Sequence, residues 1–480
     1  MKRKGRESSK IVKRFSGRKI LVLLFAATLF QNSEIVACSS FKLQKGDSLV
    51  YGHNLNEGDM GVPGLIFINK RGIYKTGRTW SEIVTKNRLN PSGFSWISRY
   101  GSVTFNNFGR DFPDGGMNEQ GLFIWEMNET IEYPMNENLP KLNQMNWMQY
   151  ILDNCSSTAE AIECAYKFEI DGWGWHYFVG DKNGNTAAIA FINGEVVVHS
   201  GNKMPVPGLF NTPYDRELEV LKFYKGFGGD YEPSLNDPKV PRFVKTAVLA
   251  RDYQSTQNIA EYGLKMLETL RVNDDPEWSI LFDVRKQKIY FKTRVNPAVK
   301  TFAMNQIDFS NQTPTMIVNM DIEKGGNVFS QFEPFTNEKM ESFTKNFIFP
   351  IFPAEFLTRG GITLDEYLQR TSTHTDLAKV AEKQFFRGVW KNNPKNPDEE
   401  ISLTVKFELD GESVRGTVSL GNKFIPIDHL SAIGKKMDFT FKTPKGTLLE
   451  VKANFSDGKM VAEILGIEDN YGTFELSKEN

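Results

Sequence analysis

The chain has 480 residues, of which 40% are hydrophobic and 24% are charged, and its formal net charge is -1. This balance is typical of a globular protein with one large core or two, and no excess of Lys and Arg indicates a nucleic-acid partner. Three cysteines in so long a chain exclude a disulfide-stapled scaffold. Because the sequence has neither a zinc-ligand spacing nor a glycine-rich phosphate loop, we expect no metal and no organic cofactor.

The first 37 residues are typical of a secretory signal peptide. Lys and Arg dominate the first nineteen positions, and an apolar run follows at residues 20–30. That run is too short to cross a bilayer core of about 30 Å, so a membrane anchor is disfavoured. We therefore expect an exported protein, periplasmic or extracellular, whose mature chain has no transmembrane span.

Hairpins alternate with helices after the signal peptide. Period-two patterns and turn residues predict hairpins at residues 40–51, 177–192 and 280–292. Apolar spacing predicts helices at residues 145–152, 215–224, 242–252 and 259–270, with a further helix that opens on a capping box from Ser157 to Glu160. This order favours an α+β fold with mainly antiparallel sheets.

The sequence pattern changes after residue 322. Residues 323–385 are predicted to be a connecting segment, with short helices near 364–369 and 377–383. From Phe386 onward, apolar residues alternate with polar ones between tight turns. Residues 386–480 are therefore predicted to form a small antiparallel β-domain, which carries no ligand signature.

Cys38 is the residue best suited to act as a catalytic nucleophile. It follows Ile35-Val36-Ala37, a plausible end for a signal peptide. Cleavage there would place a thiol and a free α-amine on one residue, and the amine could take and return the thiol proton. The same four residues also fit a lipoprotein processing site, where a lipid would occupy the sulfur. These two interpretations exclude each other, and residues 35–38 alone do not decide between them.

Downstream motifs resemble those of one enzyme family. They are Cys38-Ser39-Ser40-Phe41, Gly52-His53-Asn54-Leu55-Asn56, the stretch at residues 114–122 (Asp-Gly-Gly-Met-Asn-Glu-Gln-Gly-Leu), Phe210-Asn211-Thr212-Pro213 and Pro241-Arg242-Phe243-Val244. Their order and spacing are similar to those of the choloylglycine hydrolase and penicillin V acylase family, across residues 38 to about 308. The C-terminal β-domain lies outside this resemblance.

The resemblance implies a four-layer αββα N-terminal-nucleophile hydrolase fold over residues 38–322 and hydrolysis of a linear N-acyl amide. It makes Cys38 the nucleophile and Asn128 an oxyanion donor. It also implies that Asn211 holds the tetrahedral intermediate and that Arg242 lowers the thiol pKa. A donor aimed at the oxyanion is worth about 3–4 kcal/mol of barrier, and a nearby guanidinium favours thiolate.

Two positions depart from the family pattern. His53 stands where the family has an arginine, and Asn56 stands where it has an aspartate that orients the cysteine and its amine. Asparagine can accept a hydrogen bond but brings no charge to an ammonium group, so bile-salt and penicillin specificity are both in doubt. A small N-acyl amide is the expected partner, and an oligomer is possible.

The sequence leaves two alternative functions open. The chain could be a lipid-anchored, non-catalytic binding lipoprotein, or an acyltransferase of the same fold. The acyl group and the amine are not specified by the sequence. Cys155 and Cys164 are expected to be buried small hydrophobes that point to different faces, rather than a redox pair.

Overall fold

The computed structural model describes residues 38–56, 61–86, 92, 94–271, 276–351, 359–372, 384–391, 400–410, 413–420, 423–433, 436–456, 459–466 and 470–479. The predicted signal peptide and the predicted helix near residues 377–383 lie outside these ranges. Among the described residues, no helix combines the length and the hydrophobicity needed to cross a bilayer.

Twenty strands precede the C-terminal region within the described residues. They are β1 (Ser39–Lys45), β2 (Ser48–Leu55), β3 (Leu65–Asn69), β4 (Tyr74–Thr76), β5 (Ser95–Ile97), β6 (Ser102–Asn106), β7 (Pro113–Asn118), β8 (Phe123–Asn128), β9 (Lys141–Asn143), β10 (Glu169–Asp171), β11 (Trp175–Gly180), β12 (Thr186–Ile192), β13 (Glu195–Ser200), β14 (Gly208–Leu209), β15 (Trp278–Asp283), β16 (Lys288–Thr293), β17 (Lys300–Ala303), β18 (Met316–Asn319), β19 (Gly326–Asn327) and β20 (Glu333–Pro334).

The described α-helices are α1 (Trp80–Val84), α2 (Gln144–Asn154), α3 (Thr158–Cys164), α4 (Tyr214–Leu221), α5 (Arg242–Asp252), α6 (Ile259–Thr269), α7 (Asn337–Phe343) and α8 (Leu364–Ser372). Short 3-10 turns lie at Gly201–Lys203, Met304–Gln306 and Phe329–Gln331, and a π-helical turn at Thr344–Ile348 follows α7. The α+β class predicted from the sequence is confirmed.

Two large sheets carry the region that surrounds Cys38. In the described residues, one sheet has seven strands in the order β14-β1-β2-β15-β16-β17-β19, and the other has nine in the order β13-β12-β11-β8-β7-β6-β3-β18-β20. Helices α5 and α6 pack against the first sheet, and α2 and α3 pack against the second. Two short pairs, β9 with β10 and β4 with β5, complete the strand pairing before the C-terminal region.

The hairpin of β1 and β2 forms as its turn residues predict. Gly46 has a φ of 57°, a left-handed conformation that glycine adopts without steric cost. Phe41 lies opposite Gly52 in the register, and a Cβ at residue 52 would lie 2.4 Å from the Phe41 ring. A glycine is therefore required where the aromatic ring crosses the neighbouring strand.

The apolar side chains of the two sheets form separate cores. One cluster contains Cys38 and Tyr51 of the seven-stranded side together with Trp125 and Phe178 of the nine-stranded sheet. A second cluster joins the other face of the nine-stranded sheet to α2 and α3. Successive strand residues point to opposite faces, so one strand contributes to both clusters.

Two sequence predictions of local structure need correction. The helix predicted at residues 215–224 ends at Leu221, because the chain then turns through Gly226 and Gly228, both at positive φ. The capping box before α3 is half formed. Ser157 Oγ accepts from the Glu160 backbone, but the Glu160 carboxylate accepts from Ser156 N instead of from the N-cap residue.

Residues 326–372 add to both large sheets and to their periphery. β19 pairs with β17 at the edge of one sheet, and β20 pairs with β18 at the edge of the other. Arg370 of α8 donates to the backbone carbonyls of Ile83 and Thr85, in the last turn of the short helix α1 and at its C-cap. These contacts make the stretch predicted to be a connecting segment part of the sheet region.

The C-terminal region is a closed antiparallel barrel of eight strands within the described residues. They are β21 (Gln384–Lys391), β22 (Ile401–Asp410), β23 (Ser413–Leu420), β24 (Lys423–Ile433), β25 (Lys436–Lys442), β26 (Leu448–Ser456), β27 (Lys459–Leu465) and β28 (Asn470–Glu479). Alternate apolar residues such as Val405, Phe439 and Leu476 fill its interior, and Ile97 of β5 packs in the same cluster. Closure removes the exposed strand edges that an open sheet would leave.

Candidate active site

Cys38 lies directly before β1 and is fully buried between the two large sheets. Its Sγ is 3.9 Å from the backbone carbonyl oxygen of Asn56, to which the thiol donates. Because β1 and β2 run antiparallel, with Ser39 opposite Asn54, the end of β2 returns the chain to Cys38. The hairpin therefore places Asn56 beside the cysteine.

Arg242 is the first residue of α5 and contacts the cysteine segment directly. Its Nη1 donates to the backbone oxygen of Cys38 at 2.6 Å and to Ser39 Oγ at 2.8 Å. Its Nη2 donates to Asn211 Oδ1 at 3.4 Å. The guanidinium also lies 5.1 Å from the centre of the Phe210 ring, a cation–π contact. Arg242 therefore joins residue 38 to the segment around residue 211.

Asn211 reaches the site because β14 pairs with β1, with Leu209 opposite Ser40. Its Nδ2 donates to the backbone oxygen of Asn128 at 3.1 Å. The preceding residue is held as well, since His176 Nε2 donates to the Phe210 carbonyl at 2.5 Å. Pairing of the strands and this histidine bond fix the position of Asn211.

Asn128 ends β8, and its side-chain carbonyl is occupied by an indole. In the register Asn128 lies opposite Trp175, and Trp175 Nε1 donates to Asn128 Oδ1 at 2.7 Å. An indole N–H can only donate, so the amide must present its oxygen to Trp175 and keep its nitrogen as a donor elsewhere. Gly174 allows the start of β11 to lie close to the end of β8, because a Cβ at residue 174 would lie 2.3 Å from the Glu129 carbonyl oxygen.

Charges around Arg242 shape the electrostatics of the site. Burial lowers the pKa of Arg242 to about 10, while Cys38 and Glu217 act in the opposite direction, so the guanidinium is charged at neutral pH. Burial raises the pKa of Glu217, partly offset by Arg242 and by a bond with the Thr212 side chain. Burial also raises the pKa of Glu129 to about 7, helped by Glu217. The site therefore combines the charged guanidinium of Arg242 with two carboxyl groups, those of Glu217 and Glu129, whose raised pKa values favour the protonated form.

His53 lies in the same inter-sheet layer as Cys38 but contacts other residues. Its Nδ1 is 2.8 Å from Ser40 Oγ, and its ring stacks on Trp125 with 4.1 Å between centroids. Complete burial lowers the pKa of His53 well below its ordinary value. The imidazole is therefore neutral and cannot supply the charge of the arginine found in the resembled family.

Five of the six predicted site residues are connected by contacts, and the sixth, His53, lies in the same inter-sheet layer without joining them. Cys38, Arg242, Asn211 and Asn128 form a continuous chain of hydrogen bonds, and Asn56 contacts the cysteine sulfur. Sequence analysis missed two partners of this group, Ser39 and Trp175. Ser39 was visible next to the cysteine within the quoted motif. The contact of Trp175 with Asn128 could not be predicted from the sequence, because it depends on the register of β8 and β11.

The expectation for the other two cysteines was wrong in its geometry. Cys155 Sγ and Cys164 Sγ are 3.4 Å apart, and both residues are buried. They were expected to point to different faces of one helix. The structure instead ends α2 before Cys155 and starts α3 at Thr158, so the two residues lie on separate elements that pack together. In the described part of the chain, no group of three or more His, Cys, Asp or Glu is arranged to hold a metal ion.

Comparison with known proteins defines the class. The family model of linear amide C-N hydrolases, choloylglycine hydrolase family, matches residues 38–246, which include all six predicted site residues. This match confirms the resemblance inferred from the motifs. The matched stretch is less than half of the 480-residue chain.

Individual proteins are similar to parts of this chain in sequence or in structure. A penicillin V acylase from Pectobacterium atrosepticum is 27% identical over 193 residues, which are 35% of this chain and 50% of the relative. The chain thus spans about half the length of that curated relative. The structure of a penicillin V acylase from Agrobacterium tumefaciens covers 62% of this chain and 98% of its own, with a TM-score of 0.52 at 19% identity, and it shows the shared fold. A conjugated bile acid hydrolase from Clostridium perfringens covers 61% of this chain and 99% of its own, at 16% identity and a TM-score of 0.47.

Proposed function

We propose that this protein is an exported amidase of the N-terminal-nucleophile class, which hydrolyses the C–N bond of a linear N-acyl amide. The observation that carries the proposal is the hydrogen-bonded chain from Cys38 through Arg242 and Asn211 to Asn128. Along this chain of hydrogen bonds, the successive partners are 204, 31 and 83 positions apart in the sequence. A purely structural cysteine would not need a partly buried guanidinium and two asparagines grouped around it.

The proposed reaction uses the two functional groups of Cys38. The α-amine, freed by cleavage after Ala37, takes the thiol proton, and the sulfur attacks the substrate carbonyl carbon. The carbonyl oxygen becomes an oxyanion that the amide nitrogen of Asn128 stabilises. The C–N bond then breaks, and the leaving amine takes the proton from the Cys38 ammonium. Water, deprotonated by the same amine, attacks the thioester and releases the acid.

Arg242 and Asn211 are proposed to hold the nucleophile in place. Arg242 fixes the Cys38 carbonyl and favours the thiolate through its charge. Asn211 bonds both to Arg242 and to the Asn128 backbone, and so holds Asn128 at a fixed distance from the segment around Cys38. In the proposed αββα arrangement, the two sheets face each other across the cluster that contains Cys38, and helices cover their outer faces. The packing of α2 and α3 on one sheet and of α5 and α6 on the other supports it.

The proposal is tested first on the processed N-terminus. Intact mass of the protein after export should correspond to a chain that begins at Cys38 with a free amine. A diacylglyceryl adduct on Cys38 would instead establish the tethered lipoprotein and overturn the amidase, because the lipid occupies the sulfur.

Activity is tested on the mature form with a panel of penicillin V, glycine- and taurine-conjugated bile salts and simple N-acyl amines. Cys38→Ser should reduce hydrolysis by at least 100-fold, whereas the Cys155→Ala, Cys164→Ala double variant, which removes both thiols of another core, should leave it within about twofold. Equal activity in Cys38→Ser and the parent would contradict the mechanism. Acyl transfer to an added amine in preference to water would assign the protein to the acyltransferases instead.

A further inference from the structure

The paired thiols of Cys155 and Cys164 lie outside the proposed catalytic site. Their sulfurs are 3.4 Å apart, and the side chains are 3% and 2% exposed. Both belong to the core between the nine-stranded sheet and its helices, whereas Cys38 belongs to the core between the two sheets. The pair is therefore separated from the third cysteine by the sheet itself.

The surrounding fold holds the two cysteines face to face without a covalent bond. Asn118 Nδ2 donates to the Cys155 carbonyl at 2.7 Å and to the Leu152 carbonyl at 2.9 Å. On the other side, Trp147 Nε1 donates to the Cys164 carbonyl at 3.2 Å. Three hydrogen bonds from outside the loop thus set the approach of the two sulfurs.

We propose that Cys155 and Cys164 form a disulfide when the exported chain meets a disulfide oxidant. An S–S bond is about 2.05 Å long, so the sulfurs must approach by about 1.4 Å from their present separation. Cys155 caps the C-terminus of α2, where its N–H donates to the Ile151 carbonyl, but its own backbone is extended, with φ -104° and ψ 142°. The closed loop spans only residues 156–163.

The chemistry is a thiol–disulfide exchange. The thiolate of one cysteine attacks a sulfur of the oxidant, a protein or small-molecule disulfide, and forms a mixed disulfide. The second cysteine displaces the oxidant, so two electrons and two protons leave the pair and the oxidant departs as two thiols. The neighbouring thiol and burial raise the pKa of Cys155, which disfavours the thiolate in the folded chain. The exchange therefore belongs to folding, before this core closes.

The bond would leave Cys38 as the single free thiol among the three cysteines of the chain. In an oxidising compartment this protects the proposed nucleophile, because no second thiol remains for it to pair with. The disulfide rests on the export that is part of the proposed function, but it does not depend on the amidase activity.

The test counts thiols in the full mature chain. Protein exported from cells, or refolded with oxidised and reduced glutathione, is denatured and alkylated with and without prior reduction. We expect one label without reduction and three after it, and a cross-linked peptide that joins residues 155 and 164. Three labels without reduction, or a cross-link that includes Cys38, would overturn the proposal.

Variants assign the labels. Cys38→Ala should give no label without reduction and two after it, whereas Cys155→Ala should expose Cys164 and give two labels without reduction. Reduction should lower the Tm of the parent by roughly 2–5 °C and leave the Cys155→Ala, Cys164→Ala double variant unchanged. If the double variant does not fold, the label count of the parent still decides.

Discussion

Trp175 Nε1 lies 2.7 Å from Oδ1 of Asn128, across the pairing of β11 with β8. The indole leaves the Asn128 amide nitrogen as the group that can donate to an oxyanion. Trp175→Phe keeps an aromatic ring but removes this bond. We expect kcat to fall about tenfold, with KM within twofold, because one hydrogen bond is worth about 1–1.5 kcal/mol.

Steady-state kinetics of the mature enzyme on its best amide measure this effect. Trp390→Phe is the matched control, since it removes an indole bond of 2.6 Å to the Tyr471 carbonyl in the barrel. A Trp175→Phe variant with unchanged kcat would show that the amide is oriented by other contacts. Loss of activity in both variants would indicate general destabilisation.

Arg242→Lys tests whether the forked guanidinium is required in addition to the charge. Lysine retains the positive charge but cannot bond the Cys38 carbonyl, Ser39 Oγ and Asn211 Oδ1 together as arginine does. We expect kcat/KM to fall about 10- to 100-fold. Arg251→Lys on the same helix replaces an exposed arginine that pairs with Asp252, and should leave kcat/KM unchanged. Equal loss in both variants would contradict the assigned role.

Asn56→Asp restores the carboxylate of the resembled family beside the cysteine. A carboxylate stabilises the Cys38 ammonium and raises the amine pKa, and only the neutral amine acts as the base. The acidic limb of the kcat/KM profile should therefore move up by about 0.5–1 pH unit. Asn56→Ser, which adds no charge, serves as the control. An unmoved acidic limb in Asn56→Asp would show that this side chain lies too far from the amine to influence it.

His53→Arg introduces the arginine that the family has at this position. The parent imidazole is fully buried against Trp125, and a guanidinium there would be a buried charge. We expect the free energy of unfolding to fall by about 3 kcal/mol or more in chemical denaturation. His199→Arg should cost less than about 1 kcal/mol, because His199 already lies 2.8 Å from the exposed carboxylate of Asp215. Similar losses in the two variants would contradict the burial argument.

Asp171 makes stability depend on pH. Burial, reinforced by nearby Glu82 and Glu169, raises its pKa from 3.8 to about 7, although Trp80 N donates to it at 2.8 Å. A raised carboxyl pKa favours the protonated folded state, so this stabilisation is complete below about pH 4 and is lost as the pH rises through 7.

Asp171→Asn should therefore be more stable than the parent at pH 8 by about 1–3 kcal/mol and nearly equal to it at pH 4.5. Denaturant titrations at the two pH values measure the difference. Asp47→Asn, the same substitution at an exposed turn, is the control. A gain for Asp171→Asn that is the same at both pH values would mean that ionisation of residue 171 is not its cause.

Local features of this protein could be predicted because they depend on neighbours in sequence. The turn at Gly46 and the hairpin around it form as predicted, and α5 has the predicted limits of Arg242 and Asp252. The period-two pattern after Phe386 likewise appears as strands, since alternate side chains must point to opposite faces. Closure of those strands into a barrel has no local signal, because it depends on β21 pairing with β28.

The sequence by itself determined the candidate nucleophile, the order of the family motifs and most element positions. Only the tertiary structure decided which groups meet: Trp175 with Asn128, His53 with Trp125, and Cys155 with Cys164. The reason is physical. Sequence periodicity specifies which face of a helix or strand is apolar, whereas sheet register and helix packing specify which two faces come into contact.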